Sequence, residues 1–195
     1  MHSRNVAILL FDEVEVLDFA GPFEVFAVAS ELHDYALFRV FTVAASTEPI
    51  HARNGLTVHP DYRLEEAPYP AVLIVPGGIG TRSLLHDPAL CAWIAAAAQQ
   101  AELTLSVCSG ALLLAKVGLL DGLRATTHHE VLDLLRQLAP KTEVVPGVRY
   151  VDNGRIITAA GISAGIDASL YVVNRLCGAA VSTRTAAYME YRTTP

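Results

Sequence analysis

The stretch that decides the fold reads Leu103-Thr-Leu-Ser-Val-Cys108-Ser109-Gly110-Ala-Leu-Leu-Leu-Ala-Lys116. Its apolar, β-rich first part, residues 103–107, predicts a buried central strand, and residues 111–116 are strong helix formers. Only Cys108, Ser109 and Gly110 remain to turn the chain from strand to helix. A turn this tight holds its central residue in a strained backbone conformation, with the side chain above the sheet. We therefore predict a nucleophile elbow at Cys108.

The position of Cys108 in this turn predicts a reactive thiol. A sulfur near the N-terminus of the following helix lies in the field of the helix dipole, which stabilises a thiolate and lowers the pKa of the cysteine. The alternative is that Cys108 is a small buried hydrophobic residue, the common role of a free cysteine. The strand-to-helix junction favours the reactive thiol.

Strand-like and helix-like segments alternate along the rest of the chain. Apolar runs predict strands at residues 6–11, 37–45 and 71–75, and Asn-Gly pairs predict β-hairpins at 51–59 and 148–158. Helices are predicted at residues 22–32, 88–101, 130–138, 163–177 and 182–191, with Pro22 at the first position of one and Ser163 as the cap of another. This alternation predicts an α/β fold, doubly wound, whose mostly parallel sheet has helices on both faces. We expect a single domain over residues 1–195.

Composition and charge argue against several classes of protein. The chain has 195 residues, of which 52% are hydrophobic and 17% charged, enough apolar material for a large core. Its formal net charge is −6 with no Lys/Arg cluster, so we expect no nucleic-acid binding. No apolar run approaches the roughly 20 residues of a membrane span, and no signal peptide is recognisable. Three widely separated cysteines, Cys91, Cys108 and Cys177, fit a cytoplasmic protein.

An acidic side chain, Asp18, follows the first predicted strand. Ligands of parallel sheets bind beyond the carboxyl ends of the strands, so the loops after Phe11, Val75 and Val107 should converge on one pocket. Apolar surroundings would raise the pKa of Asp18, and a carboxyl beside Cys108 could bond to the thiolate and pass a proton to substrate. Equally, Asp18 could cap the helix predicted to begin at Pro22.

Backbone groups near the elbow predict a site for developing negative charge. Gly77 and Gly78 follow a buried strand, and their N–H groups with that of Ser109 could form an oxyanion hole. The Ser109 hydroxyl could contact substrate or cap its helix. His128 and His129 are candidate bases or ordinary surface histidines. No histidine has ligand-type neighbours at metal-binding spacing, so we predict no metal.

Several short motifs are spread over nearly the whole chain. They are Leu10-Phe11, Leu17-Asp18 with Gly21-Pro22, Val75-Pro-Gly-Gly78, Ser106-Val-Cys108-Ser-Gly110, Gly118-Leu-Leu-Asp-Gly122, Arg124-Ala-Thr-Thr-His128 and Gly161-Ile-Ser-Ala-Gly-Ile-Asp167. In these motifs the chain resembles the ThiJ/PfpI superfamily, whose members share a flavodoxin-like, class I glutamine-amidotransferase-type fold. Within it, the chain is most similar to isocyanide hydratases and to the sensor-like domains of AraC-type regulators.

The resemblance implies a cysteine enzyme that acts on a small molecule. Cys108 would be the nucleophile, Asp18 the proton carrier, and His128, Ile79 and Ile162 would line the substrate pocket. The implied reaction is hydration of an isocyanide to an N-formamide, without a cofactor and in a homodimer. A sensor of ligands or oxidative stress, and a glyoxalase-like enzyme acting on α-oxoaldehydes, are the alternatives.

The residue after the predicted nucleophile distinguishes branches of the superfamily. The protease-like branch places His there, and Ser109 therefore argues against a Cys-His peptidase. The hydratase elbow often carries Thr at this position, which also supplies a hydroxyl. The AraC-type regulators continue into a helix-turn-helix module, whereas this sequence ends at Pro195, so we do not expect a complete regulator of that kind.

Overall fold

The computed structural model describes residues 3–192, so both ends of the predicted domain, including Pro195, lie outside the described residues. Within that range the strands are β1 (Arg4–Leu9), β2 (Phe38–Ala44), β3 (Ile50–His51), β4 (Thr57–Val58), β5 (Tyr62–Arg63), β6 (Val72–Val75), β7 (Leu103–Val107), β8 (Arg124–Ala125), β9 (Glu143–Val144), β10 (Tyr150–Asp152) and β11 (Ile156–Ala159). The helices are α1 (Val16–Glu31), α2 (Thr81–Leu84), α3 (Pro88–Gln100), α4 (Gly110–Lys116), α5 (Leu132–Leu138), α6 (Ala164–Cys177) and α7 (Ala179–Tyr188). None of these helices of residues 3–192 has the length and apolar composition that crossing a membrane requires.

The centre of the molecule is a sheet with the strand order β10-β11-β7-β6-β1-β2-β5. Neighbouring strands are parallel except β10 and β11, which form an antiparallel hairpin at one edge. From β1 the chain adds β2 and β5 on one side, and β6, β7 and β11 on the other, which is a doubly wound order. Helices α1, α6 and α7 pack together, α2, α3 and α5 pack around α4, and each group contacts β6. The predicted α/β class with a mostly parallel sheet and two helical layers is confirmed.

A row of aliphatic side chains crosses the middle of the sheet. Ile8, Ile74, Leu105 and Ile157 lie opposite one another on β1, β6, β7 and β11, and all four are fully buried. Each such side chain contributes about 1.5–3 kcal/mol through burial. Because a slip of one residue would turn this row to the other face, the row keeps the strands in register. The carboxyl ends of β1, β6 and β7 consequently lie side by side.

The loops that follow these strand ends contact one another directly. The Glu15 N–H donates to the Gly77 carbonyl oxygen at 2.9 Å, and Val14 forms an antiparallel bridge with Gly78. The hairpin of β3 and β4 also reaches this edge, because the Arg53 N–H donates to the Val14 carbonyl oxygen at 2.9 Å. The predicted convergence of the loops is therefore present.

The first helix begins earlier than the sequence predicts. Helix α1 starts at Val16, and Pro22 lies inside it rather than at its first position. A proline there removes one helical hydrogen bond, but Pro22 and Gly21 are buried, and Gly21 packs closely against Ile166 of α6. Tertiary packing thus outweighs the local preference, and Asp18 lies in the first turn of α1 instead of capping a later helix.

The predicted cap of α6 is also replaced by a different contact. Ser163 precedes the helix, but its side chain accepts no hydrogen bond from the helical N–H groups. Its hydroxyl oxygen instead accepts a hydrogen bond from the Arg149 guanidinium at 3.1 Å. Arg149 is held in place by Asp167 in the first turn of α6, so an ion pair distant in sequence decides the role of Ser163.

Helix α4 approaches β6 so closely that its first residue has to be glycine. A methyl group at Gly110 would clash with the Val75 carbonyl oxygen and lie 2.8 Å from that of Pro76. Backbone atoms cannot move aside at little cost, so we expect Gly110→Ala to lower the free energy of unfolding by about 3 kcal/mol. Gly122→Ala is the control, because Gly122 has a φ of 76° and a Cβ atom added there would meet no atom of the described residues within 4 Å, and the substitution should cost about 1 kcal/mol through backbone strain. Urea denaturation measures both, and equal losses would contradict the close approach.

Candidate active site

The elbow at Cys108 has the strained geometry predicted from the sequence. Cys108 has a φ of 56°, a left-handed conformation that is uncommon outside glycine. Its N–H donates to the carbonyl oxygens of Ala159 and Ala160, both at 3.1 Å, and its carbonyl oxygen accepts from the Thr127 hydroxyl at 2.7 Å. Because its surroundings bind both backbone groups, the neighbouring strand β11 and Thr127 hold the strained residue in place.

The Cys108 side chain borders a cavity of about 370 Å³. The lining residues come from the loops at the carboxyl edge of the sheet and are Glu15, Arg53, Gly78, Ile79, Arg82, Cys108, Ser109, His128, His129, Glu130, Val131 and Ile162. Only 8% of the Cys108 surface is exposed, so a small molecule would reach the sulfur through this cavity and not from open solvent.

Asp18 is fully buried next to Cys108. Burial raises the pKa of Asp18 to about 7, partly offset by hydrogen bonds from the Gly77 N–H and the Cys108 side chain. The Gly77 N–H donates to Asp18 Oδ2 at 3.0 Å. The other oxygen, Oδ1, is buried and has no conventional hydrogen-bond donor within residues 3–192, so it is available to accept a proton. Asp18 is therefore poised to gain or lose a proton near neutral pH.

The pKa of Cys108 does not follow the expectation from the helix dipole. Burial raises the pKa of the Cys108 thiol to about 12, and the negative charge of Asp18 acts in the same direction. The backbone N–H groups of Ser109 and Ile162 act in the opposite direction and lower the pKa of the thiol, but less strongly. The predicted low pKa of Cys108 is therefore wrong, because burial raises the pKa more than the helix dipole lowers it. When Asp18 is ionised the pair still holds one proton on the thiol, and a thiolate forms when that proton moves to Asp18.

Two of the three N–H groups predicted to form an oxyanion hole, those of Gly77 and Gly78, are used within the protein. The Gly77 N–H donates to Asp18, and the Gly78 N–H donates to Ser109 Oγ at 3.0 Å. The Ser109 hydroxyl in turn donates to the Gly78 carbonyl oxygen at 3.1 Å, so it neither caps α4 nor is free for substrate. A Cβ atom on Gly77 would lie 2.9 Å from Asp18 Oδ2, so only glycine permits this approach. These residues lock the two loops together around the Asp18–Cys108 pair.

The other predicted pocket residues all line the cavity. Ile79 and Ile162 are partly exposed there, and Ile162 has a left-handed backbone with a φ of 53°. His128 stacks against His129 with 4.3 Å between ring centroids, and its Nδ1 accepts from the Glu130 N–H at 3.3 Å. Burial, and then the neighbouring His129, lower the pKa of His128, which keeps the ring neutral at pH 7. Within the described part of the chain, no three His, Cys, Asp or Glu side chains gather to hold a metal ion.

Four charged residues of the cavity wall were not predicted from the sequence. They are Glu15, Arg53, Arg82 and Glu130. From the sequence, Glu15 is expected to be an ordinary charged loop residue exposed to water. In the structure its Oε2 lies 3.7 Å from Nε of Arg53 in the β3–β4 hairpin. Arg82 lies just beyond Gly77-Gly78, and that proximity to a predicted site loop was the only signal in the sequence.

Known proteins of one family resemble this chain in sequence and in fold. The model of the DJ-1/PfpI family matches residues 4–175. The isonitrile hydratase of Pseudomonas putida is 35% identical over 194 residues, covering 99% of this chain and 81% of that protein. The HTH-type transcriptional regulator CdhR of Pseudomonas aeruginosa is 31% identical over 176 residues, covering 90% of this chain but only 52% of the regulator. The crystal structure of a ThiJ/PfpI family protein from Pseudomonas syringae superposes with a TM-score of 0.87 at 30% identity, over 100% of this chain and 78% of that one. The chain belongs to the DJ-1/PfpI family.

Proposed function

We propose that the protein is a small-molecule enzyme that hydrates an isocyanide to an N-formamide, with Cys108 as nucleophile. The observation that carries the proposal is the buried Asp18, whose pKa of about 7 lets it exchange a proton with the Cys108 thiol at the cavity wall. The similarity to an isonitrile hydratase at 35% identity supports the same reaction.

The first half of the reaction forms a covalent intermediate. The Asp18 carboxylate takes the thiol proton, and the sulfur of Cys108 attacks the terminal carbon of the isocyanide. A C–S bond forms, the electron pair displaced from the C–N triple bond becomes a lone pair on nitrogen, and the carbon keeps its own lone pair and carries the negative charge. Asp18 returns its proton to the carbon, which leaves a thioimidate, R–N=CH–S–Cys108, and an ionised Asp18.

The second half consumes one water molecule. Asp18 accepts a proton from water while the water oxygen bonds to the thioimidate carbon, and it passes this proton to the nitrogen, which has received the electron pair of the C=N bond. The C–S bond then breaks, the sulfur leaves with its electron pair, the hydroxyl proton passes to Asp18, and the product is the formamide R–NH–CHO. The sulfur and Asp18 again share one proton, as they do at the start.

The N–H groups of Gly77 and Gly78 already make hydrogen bonds within the protein, and this favours isocyanide hydration over acyl transfer. Attack on an isocyanide places negative charge on carbon, which a protonated Asp18 neutralises directly. Acyl transfer and attack on an α-oxoaldehyde place the charge on oxygen, for which free N–H donors are needed. The N–H groups of Gly77 and Gly78 are already bonded to Asp18 and Ser109.

A ligand sensor is the second candidate function. The similarity to CdhR favours it, because the matched part is about half of that regulator. In a sensor the same cavity would bind a small molecule without turnover. A homodimer, a cytoplasmic location and the absence of nucleic-acid binding remain predictions from the sequence and the resemblance.

The nucleophile is tested by Cys108→Ala. We expect this variant to lose hydration of an aryl isocyanide, followed as formamide by chromatography, while its free energy of unfolding stays close to that of the wild type. Cys91→Ala is the matched control, because Cys91 lies on α3 and outside the cavity lining, and it should keep full activity. Unchanged turnover in Cys108→Ala would dismiss the mechanism, and binding without turnover in the wild type would favour the sensor.

The proton carrier is tested through the pH dependence. The first proton leaves the Asp18–Cys108 pair with a pKa of about 7, and only the pair that has lost it contains a thiolate. The value of kcat/KM should therefore rise with pH through about 7. In Asp18→Asn, which keeps the side-chain size and an acceptor for the Gly77 N–H, kcat/KM should fall about 10²–10⁴-fold and lose this rise. A variant with the wild-type pH profile would show that Asp18 does not carry the proton.

A further inference from the structure

The charged side chains around the cavity differ in whether they have an ion-pair partner. Arg53 pairs with Glu15, its Nε lying 3.7 Å from the carboxylate oxygen. The Glu130 carboxylate lies 3.9 Å from His128 Nδ1, and its side chain is 75% exposed. Arg82 differs from both pairs, because among residues 3–192 no carboxylate lies within ion-pair distance of its guanidinium.

The Arg82 guanidinium is nevertheless held in a defined place. Its Nη1 donates to the Gly78 carbonyl oxygen at 3.0 Å and to the Thr81 hydroxyl at 3.1 Å. Gly78 belongs to the loop that binds Ser109, the residue next to Cys108. The cation is thus fixed to the same loop as the elbow, at the wall of the same cavity.

The remaining donors of Arg82 have no acceptor within the described residues. Nε and Nη2 make no hydrogen bond to the protein there, although the side chain is half-buried. A guanidinium presents its N–H groups as a planar fork that matches the two oxygens of a carboxylate. The half-buried guanidinium of Arg82 is held by Nη1, while Nε and Nη2 still have N–H groups to donate, so it is preorganised to bind a carboxylate.

We propose that Arg82 binds a carboxylate group of the substrate while the reacting carbon lies at Cys108. This assignment rests on the proposed function, and it makes small isocyanides that carry one carboxylate the preferred substrates. Glu15 and Glu130 line the same cavity, and their repulsion favours a singly charged group over a doubly charged phosphate. Arg82 is then the residue that determines specificity, and Cys108 and Asp18 do the chemistry.

The first test uses two alkylating reagents of nearly equal size, iodoacetate and iodoacetamide. The rate at which each labels Cys108 is followed on the intact chain by peptide mass spectrometry, which separates Cys108 from Cys91 and Cys177. The ratio of the iodoacetate rate to the iodoacetamide rate should fall about tenfold in Arg82→Gln, because the variant loses one charge-assisted hydrogen bond to the carboxylate of iodoacetate. Arg82→Lys, which keeps the charge without the fork, should recover part of the ratio.

The control for this test is Arg39→Gln. Arg39 lies on β2, bonded to Tyr62 and outside the cavity lining, so its removal should leave the ratio unchanged. The iodoacetamide rate reports whether the elbow of Arg82→Gln is intact. An unchanged ratio in Arg82→Gln, or an equal fall in Arg39→Gln, would overturn the proposal.

The second test compares hydration of isocyanoacetate with that of its methyl ester. In Arg82→Gln the KM of isocyanoacetate should rise about tenfold, while the KM of the uncharged ester and both kcat values stay unchanged. Equal KM values for isocyanoacetate in the two proteins would overturn the role of Arg82 and leave the hydratase standing. If neither isocyanide is hydrated but the alkylation ratio depends on Arg82, the hydratase fails and the carboxylate site stands.

Discussion

The left-handed backbone of Cys108 is the constraint on which the site depends. A non-glycine residue at a φ of 56° is strained, and it stays there because Ala159, Ala160 and Thr127 bind its N–H and carbonyl groups. In this conformation the sulfur is directed to the end of the sheet, where the loops after β1 and β6 meet. The same turn brings Gly110 against the Val75 carbonyl oxygen and Ser109 against Gly78.

Burial sets the proton chemistry of the site. A helix dipole stabilises a charge by about 0.3–1 kcal/mol at an exposed terminus and up to about 2 kcal/mol when partly buried. Removing a charge from water costs several kcal/mol in a protein interior. The larger effect prevails at Cys108, whose pKa is raised to about 12 by burial and then by Asp18. The result is a thiol and a carboxyl that share a proton, rather than a permanently ionised cysteine.

Sequence patterns were sufficient where a property depends on neighbouring residues. The run from Leu103 to Lys116 predicted β7 and α4 almost to the residue, because a continuous apolar strand and a run of helix formers are separated by a minimal turn. The hairpins at Asn54-Gly55 and Asn153-Gly154 followed from local turn preference in the same way. The sequence wrongly predicted Pro22 at the first position of a helix, because packing of α1 on α6 outweighs the local preference. It also wrongly predicted Ser163 as a helix cap, because Arg149, paired with Asp167, binds the Ser163 hydroxyl.

The sequence by itself determined the α/β class, the elbow at Cys108 and the set of loops that meet at the carboxyl edge of the sheet. These follow from periodicity and turn chemistry, which act over a few residues. The tertiary structure alone decided that the Gly77 N–H binds Asp18 and that the Ser109 hydroxyl binds the Gly78 loop. It also decided that Arg82 has no carboxylate partner among the described residues. It also decided the direction of the Cys108 pKa. Such properties depend on distances and burial between segments far apart in the chain, and no local pattern encodes them.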